Sequence, residues 1–136
     1  MSFLSWLSRL FGSSPKTEHL PRIHGKGRYL VEVTDCDLFQ PTLEKLCAGI
    51  NMEETFLETD ADLIELPYDP ANRHPVNVLI RGKPVGHLSE RESKRFLHLL
   101  HKTSQGKGAT CPARVIFHPD PGPSRPAYTA RLDLPH

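Results

Sequence analysis

Apolar and polar residues alternate between positions 55 and 66. Leu57, Thr59, Ala61 and Leu63 take one phase; Glu58, Asp60 and Asp62 take the other. A period of two is that of a pleated strand with one face buried, so the segment predicts a strand. The same rhythm runs through 29–34 (Tyr-Leu-Val-Glu-Val-Thr). Residues 76–80 and 84–88 predict a hairpin around Arg81-Gly82-Lys83. Residues 111–117 and 128–134 predict a last strand pair, joined by the Pro-rich loop 118–127. Two segments change period. Residues 41–48 read as a short helix with Pro41 near its start and Gly49 beyond its end. Ser89 followed by Glu92 is a capping box, opening a helix to about Lys102 with Phe96, Leu99 and Leu100 inward. Short strands with two short helices predict a mainly β fold, a small and partly open β-barrel.

The first twelve residues keep a different pattern. Phe3, Leu4, Trp6, Leu7, Leu10 and Phe11 fall close to helical spacing, with serines and Arg9 between them, and Gly12 stops the run. Residues 13–27 are rich in Gly, Pro and polar side chains and read as a linker. The expected organisation is an amphipathic N-terminal helix (1–12), a linker (13–27) and a β-barrel domain (28–136). The segment is too polar for a secretory signal and lacks a basic start and a small-residue cleavage site. One cation is few for a helix lying on a membrane, so Phe3, Trp6, Leu7, Leu10 and Phe11 read first as a contact for protein.

Length and charge narrow the classes. A chain of 136 residues fits one domain. A net charge of +1 gives no broad basic field, so any nucleic-acid binding must come from a local patch. Cys36, Cys47 and Cys111 are odd in number, widely spaced and without a CxxC pair, which reads as reduced thiols in a cytoplasmic protein. No apolar run approaches the roughly 20 residues that a bilayer needs.

Pro67-Tyr68-Asp69-Pro70 runs into the hairpin, which closes on Val85-Gly86-His87-Leu88 before the Ser89 cap. Upstream stand Val31-Glu-Val-Thr, Leu38-Phe39-Gln40 and Leu43-Glu-Lys-Leu46; downstream stand Cys111-Pro-Ala-Arg-Val-Ile and Leu132-Asp-Leu134. This order resembles the HIRAN domain, a small β-rich module, over most of residues 29–134. Leu66 stands where the family usually has Asn, and Leu38 where it has the first tyrosine of an aromatic pair. The resemblance implies an OB-like fold and a non-catalytic domain that binds nucleic acid, recognising single-stranded DNA at 3′ ends. It places Tyr68, Asp69, His87 and Phe39 at the site, without a cofactor or a small-molecule substrate.

Each of these residues also has a structural role open to it. Tyr68 can stack on a base or pack a turn. Asp69 can accept from a sugar hydroxyl or form an Asx-turn. His87 ends a strand before a helix N-terminus and can donate to phosphate. Arg81 and Lys83 flank the turn glycine and can contact a nucleic-acid backbone. Arg91, Lys94, Arg95, His98, His101 and Lys102 give the second helix a cationic side. His98 and His101 are i, i+3 neighbours without a third ligand, so no metal is expected. Glu53, Glu54, Glu58, Asp60, Asp62 and Glu65 crowd one region and would repel phosphate. They read first as a polar outer face. Two further functions stay open: an adaptor working through residues 3–11, and a Mg²⁺- or Mn²⁺-dependent phosphodiesterase using Asp60 and Asp62.

Overall fold

The computed structural model describes residues 20–48, 56–67, 69–103, 108–123 and 125–135. The N-terminal helix expected over 1–12, and with it Phe3, Trp6, Leu7, Leu10 and Phe11, lies outside the described residues, as do Tyr68, Glu53 and Glu54.

Among the described residues, six strands and two helices follow in order: β1 (Val31–Glu32), a 3-10 turn (Cys36–Phe39), α1 (Gln40–Leu46), β2 (Phe56–Glu65), β3 (Val76–Ile80), β4 (Lys83–His87), α2 (Glu90–Thr103), β5 (Gly108–Phe117) and β6 (Tyr128–Leu132). All pairings between these strands are antiparallel, and the sheet order is β1-β6-β5-β2-β3-β4. The backbone of the fold is the β2–β5 ladder, which runs from Phe56 opposite Ile116 to Ile64 opposite Gly108. The alternation read in β2 is realised: Ala61 and Leu63 are buried while Glu58 and Asp60 are exposed. Ile64 breaks the rule. It packs with Leu79 and Leu20 in a small second cluster on the other face.

The sheet curls until its two edges meet. Thr34, just past β1, and His87, the end of β4, form an isolated antiparallel bridge. Thr34 N donates to His87 O at 2.8 Å and His87 N to Thr34 O at 3.0 Å. The close approach dictates Gly86: a Cβ there would run into the Thr34 carbonyl oxygen and Val33 Cγ1. The inner face carries small residues, Ala61, Ala109, Ala113 and Ala130, beside Val31, Val78, Val115 and Leu132, all buried. Small side chains leave room for large ones from the helices, as a small barrel filled by side chains requires. Leu43 and Leu46 of α1 join this core, as do Phe96 and Leu100 of α2, with Ser93 buried on the same helix face.

Local chemistry sets each connection. The β3–β4 turn holds Arg81 at φ 53° and Gly82 at φ 79°, the two positive values of a type I′ hairpin turn. Lys83 therefore belongs to β4 and not to the turn. Pro84 lies in the last strand of the sheet, where a missing N–H is tolerated. Glu92 N donates to Ser89 Oγ at 3.2 Å, the cap expected for α2. The strand expected over 29–34 is shorter, because Tyr29 takes φ 51° and its ring lies 4.2 Å from the Arg114 guanidinium. Phe56 faces the same guanidinium at 4.5 Å.

Residues 21–27, read from composition as linker, lie against the barrel. Thr110 N donates to Pro21 O and Ile23 N to Thr110 O; Gly25 N donates to Asp133 O. Gly27 N reaches the buried Asp133 carboxylate at 3.0 and 3.1 Å. The two bonds to Thr110 satisfy β5 on the side that β6 leaves uncovered.

Candidate nucleic-acid interface

The barrel closure brings three rings together. His87, half-buried at the end of β4, meets Phe39 edge-on at 6.5 Å between centroids and His74 at 6.0 Å. Phe39 is placed by the 3-10 turn, which begins after Asp35 in a left-handed conformation (φ 66°, ψ 19°). That kink lets the chain leave the closing bridge and double back over His87. Asp35 Oδ2 lies 3.2 Å from His87 Nδ1. His74 Nδ1 lies 3.2 Å from the Leu88 carbonyl oxygen. A carbonyl only accepts, as does a carboxylate, so both rings carry a proton on Nδ1. When neutral, each then has a bare Nε2 able to accept from a ligand.

The loop before β3 is built from two Asx-turns. Ala71 N donates to Asp69 Oδ1 at 3.0 Å, and His74 N donates to Asn72 Oδ1 at 2.9 Å. The turn role of Asp69 is thus realised, and the turns hold the His74 ring against His87. The other expected site residues divide. Phe39 and His87 stand together. Arg81 and Lys83 are exposed at the far end of the hairpin, four strand residues from His87, or about 13 Å. They do not share the ring cluster. Asp35 and His74 join the cluster although their local sequence gives no signal for it. The family motif covers neither; only the chain reversal at Asp35 and the Asx-turns bring them in.

The charged runs are largely internally balanced. On β2, Glu58 pairs with Arg114 and Asp60 with Arg22, each at 2.8 Å; Asp62 accepts from Thr110 Oγ1 at 2.7 Å; Glu65 lies 3.4 Å from His101. Burial is the main cause that raises the Asp62 carboxyl above its ordinary range. Asp60 and Asp62 thus have separate partners, and no group of three or more metal-ligating side chains gathers among the described residues. On α2, Lys94 pairs with Glu90 and Arg95 with Glu92. Burial pushes the Cys111 thiol up to about 12 and Cys36 to about 11, which keeps both protonated. Among the described residues no helix is long and apolar enough to cross a membrane.

Comparison of the chain with family models, with curated proteins and with solved structures returns no match.

Proposed function

We propose that the protein is a non-catalytic nucleic-acid-binding module, HIRAN-like in sequence order and OB-like in build, that takes the free hydroxyl end of a single DNA strand. The observation that carries this reading is the group of three rings, Phe39, His87 and His74, at the closure of the barrel. A terminal base stacks on such a surface, and the two Nε2 atoms accept from its exocyclic amines. Asp35 and Asp69 suit the sugar end. A carboxylate accepts from a hydroxyl and repels a phosphate, so a free end is favoured over a phosphorylated one.

The test is fluorescence anisotropy of labelled single-stranded DNA with a free or a phosphate-blocked 3′ end, titrated at low and moderate salt. Phe39→Ala and His87→Ala should each weaken binding roughly 5- to 150-fold, the equivalent of about 1–3 kcal/mol per stacked base. Binding that is indifferent to both substitutions, or to the state of the 3′ end, would remove this site. Absence of binding at low salt would remove the function.

A further inference from the structure

The closing seam between β1 and β4 is only one rung long. Val31 and Glu32 stand opposite Leu132 and Arg131, and Val33 N donates to Ala130 O. In an antiparallel ladder bonded and non-bonded pairs alternate, so Glu32 turns its N–H and C=O away from β6, in the direction Thr34 uses to reach His87. The next rung would pair Glu32 with Ser89. Ser89 instead caps α2, while Leu88 N carries the β3–β4 ladder one residue further, to Val76 O. The chain leaves the sheet where the second rung would form.

What remains is a groove of about 720 Å³ along β1. Its walls are Glu32, Asp35 and Asp37 on one side, Glu92 on a second, and the loop carrying Pro123 and Arg125 on a third. Leu30, 53% exposed, lies at its rim. Four carboxylates line the groove against Arg125, with Arg131 4.0 Å from Glu32 and Arg95 3.6 Å from Glu92 beside it. The remaining excess of negative charge, centred on Asp37, disfavours a phosphate backbone and favours a cationic occupant. An unpaired strand edge beside an apolar side chain takes an extended segment by adding it as a strand.

We propose that this open seam is a docking slot for an extended peptide of another protein, bearing alternate Lys or Arg residues, which adds to β1 as the rung that Ser89 does not supply. Its backbone bonds Glu32, its cations meet Asp37, Glu32 and Glu92, and an apolar residue covers Leu30. The slot adjoins the ring cluster at Asp35, which lines it and also lies 3.2 Å from His87, but the proposal does not depend on the nucleic-acid reading.

The probes are capped hexapeptides alternating Val with Lys and Leu with Arg, an alternating Val–Glu control, and a Val–Lys peptide N-methylated at alternate residues. They are titrated into the full chain at about 50 mM salt, where surface attraction is little screened. At least one cationic peptide should bind, and the Glu32 amide should exchange more slowly with solvent in the complex. Glu32→Lys and Asp37→Lys should each weaken it about tenfold. The acidic and N-methylated peptides should not bind. Failure of both cationic peptides overturns the proposal. So does binding that leaves Glu32 amide exchange unchanged, that survives both substitutions, or that N-methylation does not affect. Slowed Glu32 exchange on adding single-stranded DNA instead of peptide would also overturn it, by giving the slot to the other class of ligand.

Discussion

Thr34 and His87 exchange both main-chain hydrogen bonds, and Thr34 Oγ1 adds a third to His87 O at 2.9 Å. The pair that closes the barrel is therefore also the pair that fixes the His87 ring beside Phe39 and Asp35.

Gly86→Ala tests this coupling. The added Cβ meets the Thr34 carbonyl and Val33 Cγ1, and the backbone stands at φ 154°, where L side chains are strained. The expected loss is about 2–4 kcal/mol, read from urea unfolding. Gly82→Ala is the control. Its Cβ meets nothing within 4 Å, and only the positive φ of 79° opposes it, so about 1 kcal/mol should be lost. Equal losses in the two variants would contradict the steric account of closure.

Acid should weaken the protein through His118. Its Nε2 lies 2.8 Å from Thr129 Oγ1, and its pKa is held below the ordinary 6.5, chiefly by burial and then by Arg125. The unfolded chain takes up this proton first. Stability from this group is thus fully present above 6.5 and lost as the pH falls through the lower folded value. Urea midpoints measured from pH 8 to pH 5 should fall more steeply for the natural protein than for His118→Gln. Parallel curves would show that His118 contributes nothing.

Asp62 should act with the opposite sign. Burial is the main cause of its raised pKa, with Asp60 adding to it and the Thr110 hydroxyl opposing it. The folded state holds this proton more tightly than the unfolded chain, so stability falls as the pH rises above the ordinary carboxyl value of 3.8. Asp62→Asn keeps an acceptor for Thr110 and removes the charge. Its stability relative to the natural protein should improve from pH 3 to pH 7, as measured by denaturant midpoints.

The thiols should separate by depth. Cys36 and Cys111 are buried and strongly protonated, whereas Cys47 is half-buried. Ellman's reagent at pH 8 should titrate Cys47 at most in the native protein, and all three in guanidinium. Rapid reaction of Cys36 or Cys111 would show that the barrel opens easily.

Much of the framework was legible because local signals were strong. The alternation in β2, the Arg81-Gly82 turn and the Ser89 cap each specify their element by short-range chemistry. What escaped was set by distant contacts. Tyr29 leaves the strand phase to lie on Arg114, 85 positions away in sequence. Residues 21–27 look like linker because main-chain bonds to Thr110 and Asp133 leave no mark on composition. In the ring cluster, Phe39 and His87 were singled out by the order of motifs, and the structure sets them side by side. Asp35 reaches His87 across 52 residues, through a left-handed turn that no side-chain pattern announces.

Asp133 holds one more consequence. Its main-chain oxygen and its carboxylate bind residues 25 and 27, so the segment leading into β1 and the segment leaving β6 are held together. A unit whose ends are stapled side by side is portable. It can be spliced into a surface loop of a host protein without prising that loop apart, and the graft would cost the host little more than the entropy of a longer loop.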